Sequence, residues 1–126
     1  MIISLELDSE TPLYEQLFNQ IVIGIASGRL APGERLPAVR QLADELGINM
    51  MTVNKAYTLL KQQGYIVIDR RHGAQIRTRF ETADALPPSL EKQLALIIAQ
   101  AKIHGIGQNR FAAICQRLYS ELSQSP

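Results

Sequence analysis

Two short stretches of this sequence concentrate side chains that form directional hydrogen bonds or carry positive charge. The first stretch runs from Asn49 to Lys61, and the second is Arg70-Arg71-His72-Gly73. Asparagine can form two parallel hydrogen bonds with the edge of adenine, whereas lysine, arginine and threonine bind phosphate or guanine. A glycine beside cations lets the backbone approach a ligand closely. The residue types in both stretches therefore favour contacts with a nucleic acid.

The other residues with chemical reactivity are too scattered to predict an enzyme. His72 and His104 fall in different predicted regions, and Cys115 has no base next to it in the sequence. The sequence has neither a glycine-rich phosphate-binding motif nor a Cys/His cluster with the spacing of metal ligands. We therefore expect no catalytic residues, no metal and no cofactor. The single cysteine and the lack of an apolar targeting or membrane-spanning segment favour a cytoplasmic protein without a membrane partner.

Positive charge is concentrated in the middle of the chain. The formal net charge is only +1, from 13 Lys and Arg against 12 Asp and Glu. Residues 29–79 hold nine Lys and Arg, among them Arg35, against four Asp and Glu, so their balance is +5. Phosphates respond to charge within about 8–10 Å in physiological salt, so this local balance matters more than the chain average. Charge alone leaves open whether the segment binds a nucleic acid or is an ordinary solvated surface.

The elements that would position these residues follow from the spacing of the apolar residues. A first helix is predicted over about residues 12–27, with Thr11 as its N-cap and Pro12 at its first position. Its apolar stripe is Tyr14, Leu17, Phe18, Ile21 and Ile25. Two short amphipathic helices then meet across Gly47-Ile48, the second one capped by Asn49 and closed by Gly64. Their apolar stripes are Val39, Leu42, Ala43 and Leu46, and Val53, Ala56, Tyr57 and Leu60. Two such helices joined by a short turn with a glycine are typical of a helix-turn-helix.

A β-hairpin is predicted directly after this helix pair. Residues 65–68 favour a strand, residues 69–73 form a charged turn that ends in glycine, and residues 74–79 alternate with Ile76 facing inward. A hairpin in this place is the wing of a winged helix-turn-helix. Residues 30–37, with two prolines, predict a fixed loop, and the alternation of Ile3, Leu5 and Leu7 with polar residues predicts a short N-terminal strand.

The C-terminal third is predicted to be a pair of helices that mediates dimerisation. The consecutive prolines of residues 80–88 predict a linker between a winged domain, residues 1–79, and a helical region, residues 89–126. Ser89 is expected to cap the first of these helices, and Asn109 to precede the second. Residues 94–101 are apolar on more than one side, so a second protomer is expected to cover them. The predicted dimerisation residues are Leu94, Ile97, Ile98, Ala101, Phe111, Ile114 and Leu118. The fold class is therefore α+β, a winged helix-turn-helix followed by a short two-helix dimerisation appendage.

The second helix of a helix-turn-helix enters the major groove of DNA, and its outward side chains reach the base edges. Asn54 suits adenine, whereas Thr52 and Lys55 suit phosphate or guanine. The cationic tip of the wing suits the minor groove or its phosphates. The predicted DNA-binding residues are Arg35, Arg40, Asn49, Met50, Met51, Thr52, Asn54, Lys55, Arg71, His72 and Gly73.

Four segments of this sequence carry a family resemblance: Pro12-Leu13-Tyr14-Glu15-Gln16, residues 28–43, Thr52-Val53-Asn54-Lys55-Ala56-Tyr57 and Gly64-Tyr65-Ile66. Residues 11–79 resemble the DNA-binding domain of GntR-type regulators, and the short helical tail is similar to that of the YtrA subgroup. The resemblance implies homodimers on a pseudo-palindromic operator. It also implies that Arg40 binds phosphate, that residues 49–54 face the groove, and that His72-Gly73 enter from the wing.

Three residues depart from the family pattern. Ala38 stands where members often carry a serine that caps the helix and touches phosphate, so about 1 kcal/mol of capping is lost. Met50 and Met51 stand where members often carry arginine or another polar residue. Methionine cannot form a bidentate base contact, so apolar contact with thymine methyls is expected to replace guanine recognition at these positions.

The sequence therefore predicts a dimeric, sequence-specific DNA-binding regulator of transcription, with repression favoured over activation. The alternative is a winged-helix module whose basic face binds an acidic protein. An unidentified small-molecule effector stays open as a further partner. Two helices are too thin to enclose a typical pocket of roughly 300 Å³ or more, whereas a cleft between two protomers could enclose one.

Overall fold

The computed structural model describes residues 2–123, and these residues form two compact units that meet in sequence between Arg79 and Phe80. The first unit carries three helices and a two-stranded sheet, and the second carries two helices. The predicted α+β winged helix-turn-helix followed by C-terminal helices is confirmed. The elements are α1 Leu13–Ala26, α2 Val39–Leu46, α3 Met50–Gln62, β1 Ile66–Asp69, β2 Gly73–Ile76, α4 Pro88–Ile103 and α5 Gln108–Leu122.

The core of the first unit is built from the predicted apolar stripes. Leu17 and Ile21 of α1 pack against Val53, Tyr57 and other residues of α3, and all four are almost fully buried. Removing such side chains from water is the main favourable contribution to folding. The buried apolar residues are Leu17, Ile21, Leu30, Leu36, Leu42, Ala43, Val53, Ala56, Tyr57, Leu60, Ile66, Ala74 and Ile76.

The turn between α2 and α3 occupies residues 47–49. Gly47 ends α2 in the left-handed conformation, with a φ of 67°, which is a low-cost conformation for glycine. The N–H of Ile48 donates to the carbonyl of Ala43 at 3.0 Å, so a carbonyl at the end of α2 is satisfied. Asn49 then caps α3, because its Oδ1 accepts a 2.7 Å hydrogen bond from the N–H of Met51. The predicted helix-turn-helix and its cap are confirmed.

The hairpin that forms the wing also pairs with the loop before α2, and the sequence of the hairpin does not indicate this pairing. Strands β1 and β2 pair antiparallel, with Ile66 opposite Ile76 and Asp69 opposite Gly73. The other edge of β2 is bound by the loop before α2: the N–H of Leu36 donates to Ala74 O at 2.8 Å, and that of Ile76 to Glu34 O at 2.9 Å. The predicted fixed loop therefore adds strand-like pairing to the hairpin and ties the wing to the segment that leads into α2.

The predicted strand at residues 3–7 is wrong. The described residues of this segment are not part of any sheet. Instead, two glutamine side chains of α1 satisfy its backbone: Ser4 N–H donates to Gln20 Oε1 at 3.0 Å, and Glu6 N–H donates to Gln16 Oε1 at 2.8 Å. A side-chain amide offers the same donor and acceptor pair as a peptide group, so it can replace a neighbouring strand.

Three helix starts differ from the predicted ones, and in two of them proline takes the cap position. Pro12 and Pro87 precede α1 and α4 with similar backbone angles, φ −55° and −53°, ψ 145° and 144°, and no side-chain hydrogen bond caps either helix. Thr11 is therefore not the N-cap, and Ser89 lies inside the first turn of α4. Asn109 likewise lies within α5, which begins at Gln108 after Gly107. The fixed φ of proline is compatible with the entry into a helix, so it can replace a polar cap.

The second unit has no core of its own. None of the described residues from 80 to 123 is buried, although α4 and α5 are rich in apolar side chains. The two helices flank an open groove of about 870 Å³ whose lining includes Ile98, Ala101, Phe111 and Cys115. Residues 124–126, the end of the predicted helical region, lie outside the described residues. Within the described part of the chain, none of the helices has the length and apolar character needed to cross a membrane.

Candidate nucleic-acid interface

The two sides of α3 differ sharply in exposure. Its apolar stripe is buried in the core, which turns the opposite side of the helix to solvent. Met51 is the most exposed apolar residue of this side, with 77% of its surface accessible. Thr52 is half-buried, and the exposed residues of the cap and helix are Asn49, Met50, Met51, Asn54, Lys55, Thr58, Lys61 and Gln62. The helix therefore presents a mixed polar, cationic and thioether surface.

The two asparagines of this surface are in different situations. The Oδ1 of Asn49 is already used by the helix cap, so the Nδ2 group is the part of its amide left to bind a ligand. Asn54 lies one turn further along α3 and is exposed. Its amide can present a donor and an acceptor side by side, which matches N7 and N6 of adenine.

Lys55 is held against α1. Its Nζ lies 4.0 Å from the centroid of the Tyr14 ring, within the range of a cation–π interaction. The spacing of Tyr14 predicted only a core residue of α1, and the ring is indeed partly buried against the core. The contact with Lys55 was not predicted, because it joins residues 41 positions apart and has no signal in either local pattern.

Two predicted phosphate-binding arginines lie before and within α2. Arg40 is exposed on the first turn of α2, and Arg35 is exposed on the segment that pairs with β2 at Gln75. Ala38 occupies the cap position of α2 with an extended backbone, φ −60° and ψ 152°, and no side chain caps the helix. The unsatisfied N–H groups at this helix start are therefore open to solvent or an anion.

The wing tip is organised by one carboxylate. Asp69 accepts a hydrogen bond from the N–H of His72 through Oδ1, and its Oδ2 lies 3.2 Å from His72 Nδ1. The backbone hydrogen bond from His72 is the main cause that lowers the pKa of Asp69 below its usual range. Gly73 closes the turn with a φ of 65°, and Arg70 and Arg71 are exposed. The role of Asp69 was not predicted. Aspartate is nevertheless common at the first position of a turn, where its carboxylate accepts a hydrogen bond from a later backbone N–H.

The pairing with Asp69 also determines what His72 can offer a ligand. A carboxylate only accepts hydrogen bonds, so Nδ1 carries the proton of a neutral ring and Nε2 is left as an acceptor.

Three helices with a tight turn before α3, followed by a basic hairpin, define a winged helix-turn-helix DNA-binding domain. Residues 13–76 match the family described as "Bacterial regulatory proteins, gntR family". The chain belongs to the GntR family: it is a transcriptional regulator with a DNA-binding domain, and not an enzyme.

The chain is similar to named regulators over both units. It is 34% identical over 100 residues to the HTH-type transcriptional repressor YtrA of Bacillus subtilis, covering 78% of this chain and 77% of that protein. It is 38% identical to a solved GntR-family transcription factor, YtrA from Sulfolobus acidocaldarius, with a TM-score of 0.66 over 82% of this chain and 99% of that one. The predicted likeness to the YtrA subgroup is confirmed.

A further solved structure contains DNA. The crystal structure of the DNA-binding domain of AraR in complex with operator ORX1 is 25% identical to this chain. Its TM-score is 0.51, and the match covers 59% of this chain and 92% of that domain.

Proposed function

We propose that this regulator represses transcription as a homodimer bound to a pseudo-palindromic operator in duplex DNA. The observation that carries the proposal is the exposed side of α3, which is polar and cationic where a helix-turn-helix meets the major groove. The likeness to the AraR domain in complex with its operator supports duplex DNA as the ligand. The likeness to a protein named as a repressor supports the direction of regulation.

The exposed residues divide between positioning and base recognition. Arg40, at the start of α2, binds a phosphate and fixes the register of the domain on the duplex. Asn54 binds the edge of an adenine. Met50 and Met51 are exposed but cannot donate to a base, so they contact thymine methyl groups. Arg71, His72 and Gly73 bring the wing to the minor groove or its phosphates.

Dimerisation is the role proposed for α4 and α5. A pair of helices with no buried side chain cannot hold itself together by the hydrophobic effect, so a second copy supplies the missing contacts. Ile97, Ile98 and Leu118 are 51%, 40% and 47% exposed, which is unusual for large apolar residues that stay in water. A two-fold dimer places two copies of α3 in successive major grooves, about 34 Å apart, which requires a pseudo-palindromic site.

The DNA-binding part is tested with duplexes selected from a random library by the purified protein. Affinities of wild type, Arg40→Ala and Asn54→Ala are measured by fluorescence anisotropy at several salt concentrations. Arg40→Ala should weaken binding to all duplexes and lower the salt slope by about 0.9, because one phosphate contact is lost. Asn54→Ala should lose about 1–3 kcal/mol of preference at one adenine position.

Arg117→Ala serves as the control, since it removes an exposed cation of α5 that pairs with Glu121 and lies outside the winged domain. It should leave both affinity and salt slope unchanged. Equal affinities of wild type and Arg40→Ala would overturn the proposal. Weak binding with little salt dependence and no symmetric footprint would favour the alternative, a module that binds an acidic protein.

The dimer is tested by analytical ultracentrifugation of Ile97→Glu/Ile98→Glu. This variant should sediment as a monomer at concentrations where wild type is dimeric. Ile103→Glu is the matched control, because Ile103 is 84% exposed and lies on the opposite side of α4 from the predicted stripe. An unchanged dimer in the double variant would refute this interface.

Repression is tested with a promoter that carries the mapped operator. Transcription in vitro should fall when wild-type protein is added and should not fall with Arg40→Ala. An increase on addition of wild type would contradict repression and leave DNA binding intact.

A further inference from the structure

The contact between Lys55 and Tyr14 joins the exposed side of α3 to the first turn of α1. Lys55 is exposed, yet its Nζ lies only 4.0 Å from the centroid of the tyrosine ring. Tyr14 is partly buried against the core, which fixes the ring and its face. The ring therefore restricts the flexible four-carbon side chain of Lys55 to a position beside the first turn of α1.

We propose that Tyr14 is a positioning residue that makes Lys55 a phosphate contact rather than a reader of guanine. The proposal rests on the proposed DNA binding and specifies the role of one residue in it. A lysine that reads guanine must extend away from the protein to reach O6 and N7 on the floor of the major groove. The tyrosine ring instead holds the ammonium against α1, a position that suits contact with the sugar-phosphate backbone rather than with the floor of the groove.

The chemistry of the two groups fits this assignment. The lysine ammonium is a compact point charge with three N–H donors. When one N–H is directed at the tyrosine ring, the other two can still bind an anion. A phosphate can approach such a charge from many directions, whereas guanine recognition needs donors at fixed positions in the plane of the base. Asn54, the neighbour of Lys55 in sequence, carries the side chain suited to that planar recognition.

The sequence leaves two roles open for Lys55, contact with a phosphate or recognition of guanine. They are distinguished by two readouts on a selected duplex and its single-base variants. Lys55→Ala should lower the slope of log K against log salt by about 0.9 and leave the ranking of the sequence variants unchanged. Loss of preference at a single G·C pair, with an unchanged slope, would overturn the proposal.

The role of Tyr14 is tested with a matched pair of substitutions. Tyr14→Phe keeps the ring and should behave as wild type, whereas Tyr14→Leu keeps apolar volume without the ring. Tyr14→Leu should weaken binding two- to five-fold, and it should have no further effect in a Lys55→Ala background. An equal loss in both backgrounds would overturn the positioning role, because it would show that Tyr14 acts independently of Lys55.

A DNA-free measurement covers the case in which Tyr14→Leu fails to fold. In wild type and in Tyr14→Phe, the Lys55 Hε protons should show an upfield ring-current shift by NMR, and an ordinary shift in both would overturn the proposal. If the shift is present but no duplex binds wild type, the contact between the two residues stands, and the proposed function and the phosphate role of Lys55 both fail.

Discussion

The hydroxyl of Tyr57, on α3, donates a 2.7 Å hydrogen bond to the backbone carbonyl of Pro37, in the segment that leads into α2. The apolar part of the tyrosine is buried in the core, so the bond fastens α3 directly to the segment that leads into α2. Burial, and to a smaller extent the nearby Glu45 carboxylate, raise the pKa of Tyr57 far above its usual value. The hydroxyl therefore remains a donor at all ordinary pH values.

Tyr57→Phe should lower the free energy of unfolding by about 1–2 kcal/mol at neutral pH. The carbonyl of Pro37 then loses its hydrogen-bond donor, while the aromatic ring stays in the core. The folded state holds its proton at a pH where the unfolded tyrosine has lost it. The advantage of wild type over Tyr57→Phe is therefore full below about pH 10 and should shrink as the pH rises further. Urea unfolding of both proteins at pH 7 and pH 10.5 measures this, and a difference that grows with pH would contradict it.

Ala38→Ser should raise the stability by about 0.5–1 kcal/mol. The cap position of α2 already has the extended backbone that a capping serine adopts, but alanine leaves the N–H groups of the first turn without a side-chain acceptor. Asn49→Ala is the matched opposite, since it removes the cap of α3 and should cost about 1 kcal/mol. Urea midpoints at constant m-value compare the three proteins. A lower midpoint for Ala38→Ser would show that the position cannot accept a cap.

The hydrogen bond from the His72 N–H to Asp69 should weaken in acid only below the usual pKa of aspartate. The folded-state pKa of Asp69 is lowered, so the charged carboxylate and the stabilisation it gives persist above the unfolded value of about 3.9 and are lost as the pH falls below it. The chemical shift of the His72 amide proton follows this by NMR. Its midpoint should lie below pH 3.9, and Asp69→Asn should give a flat profile. A midpoint at or above that of an unstructured aspartate would contradict the prediction.

The elements of the winged domain follow from the order of residues along the chain. The spacing of apolar, polar and glycine residues within a few positions of one another predicts these features. They are the buried stripes of α2 and α3, the left-handed Gly47, the Asn49 cap and the inward Ile76. The same holds for the pair of C-terminal helices. The predicted cap residues Thr11 and Ser89 are wrong by one or two positions, because proline can also begin a helix.

Contacts between distant residues were not predictable from the sequence and are visible in the folded structure alone. Gln16 and Gln20 replace a neighbouring strand for residues 4–6, the loop before α2 pairs with β2, and Tyr14 holds Lys55. Each contact joins side chains or backbone groups from different elements, and a polar group has several partners of equal chemistry available in the sequence. The shape of the core sets the distance and direction between elements, and it thereby selects which of these partners a polar group meets. No local sequence pattern contains that information.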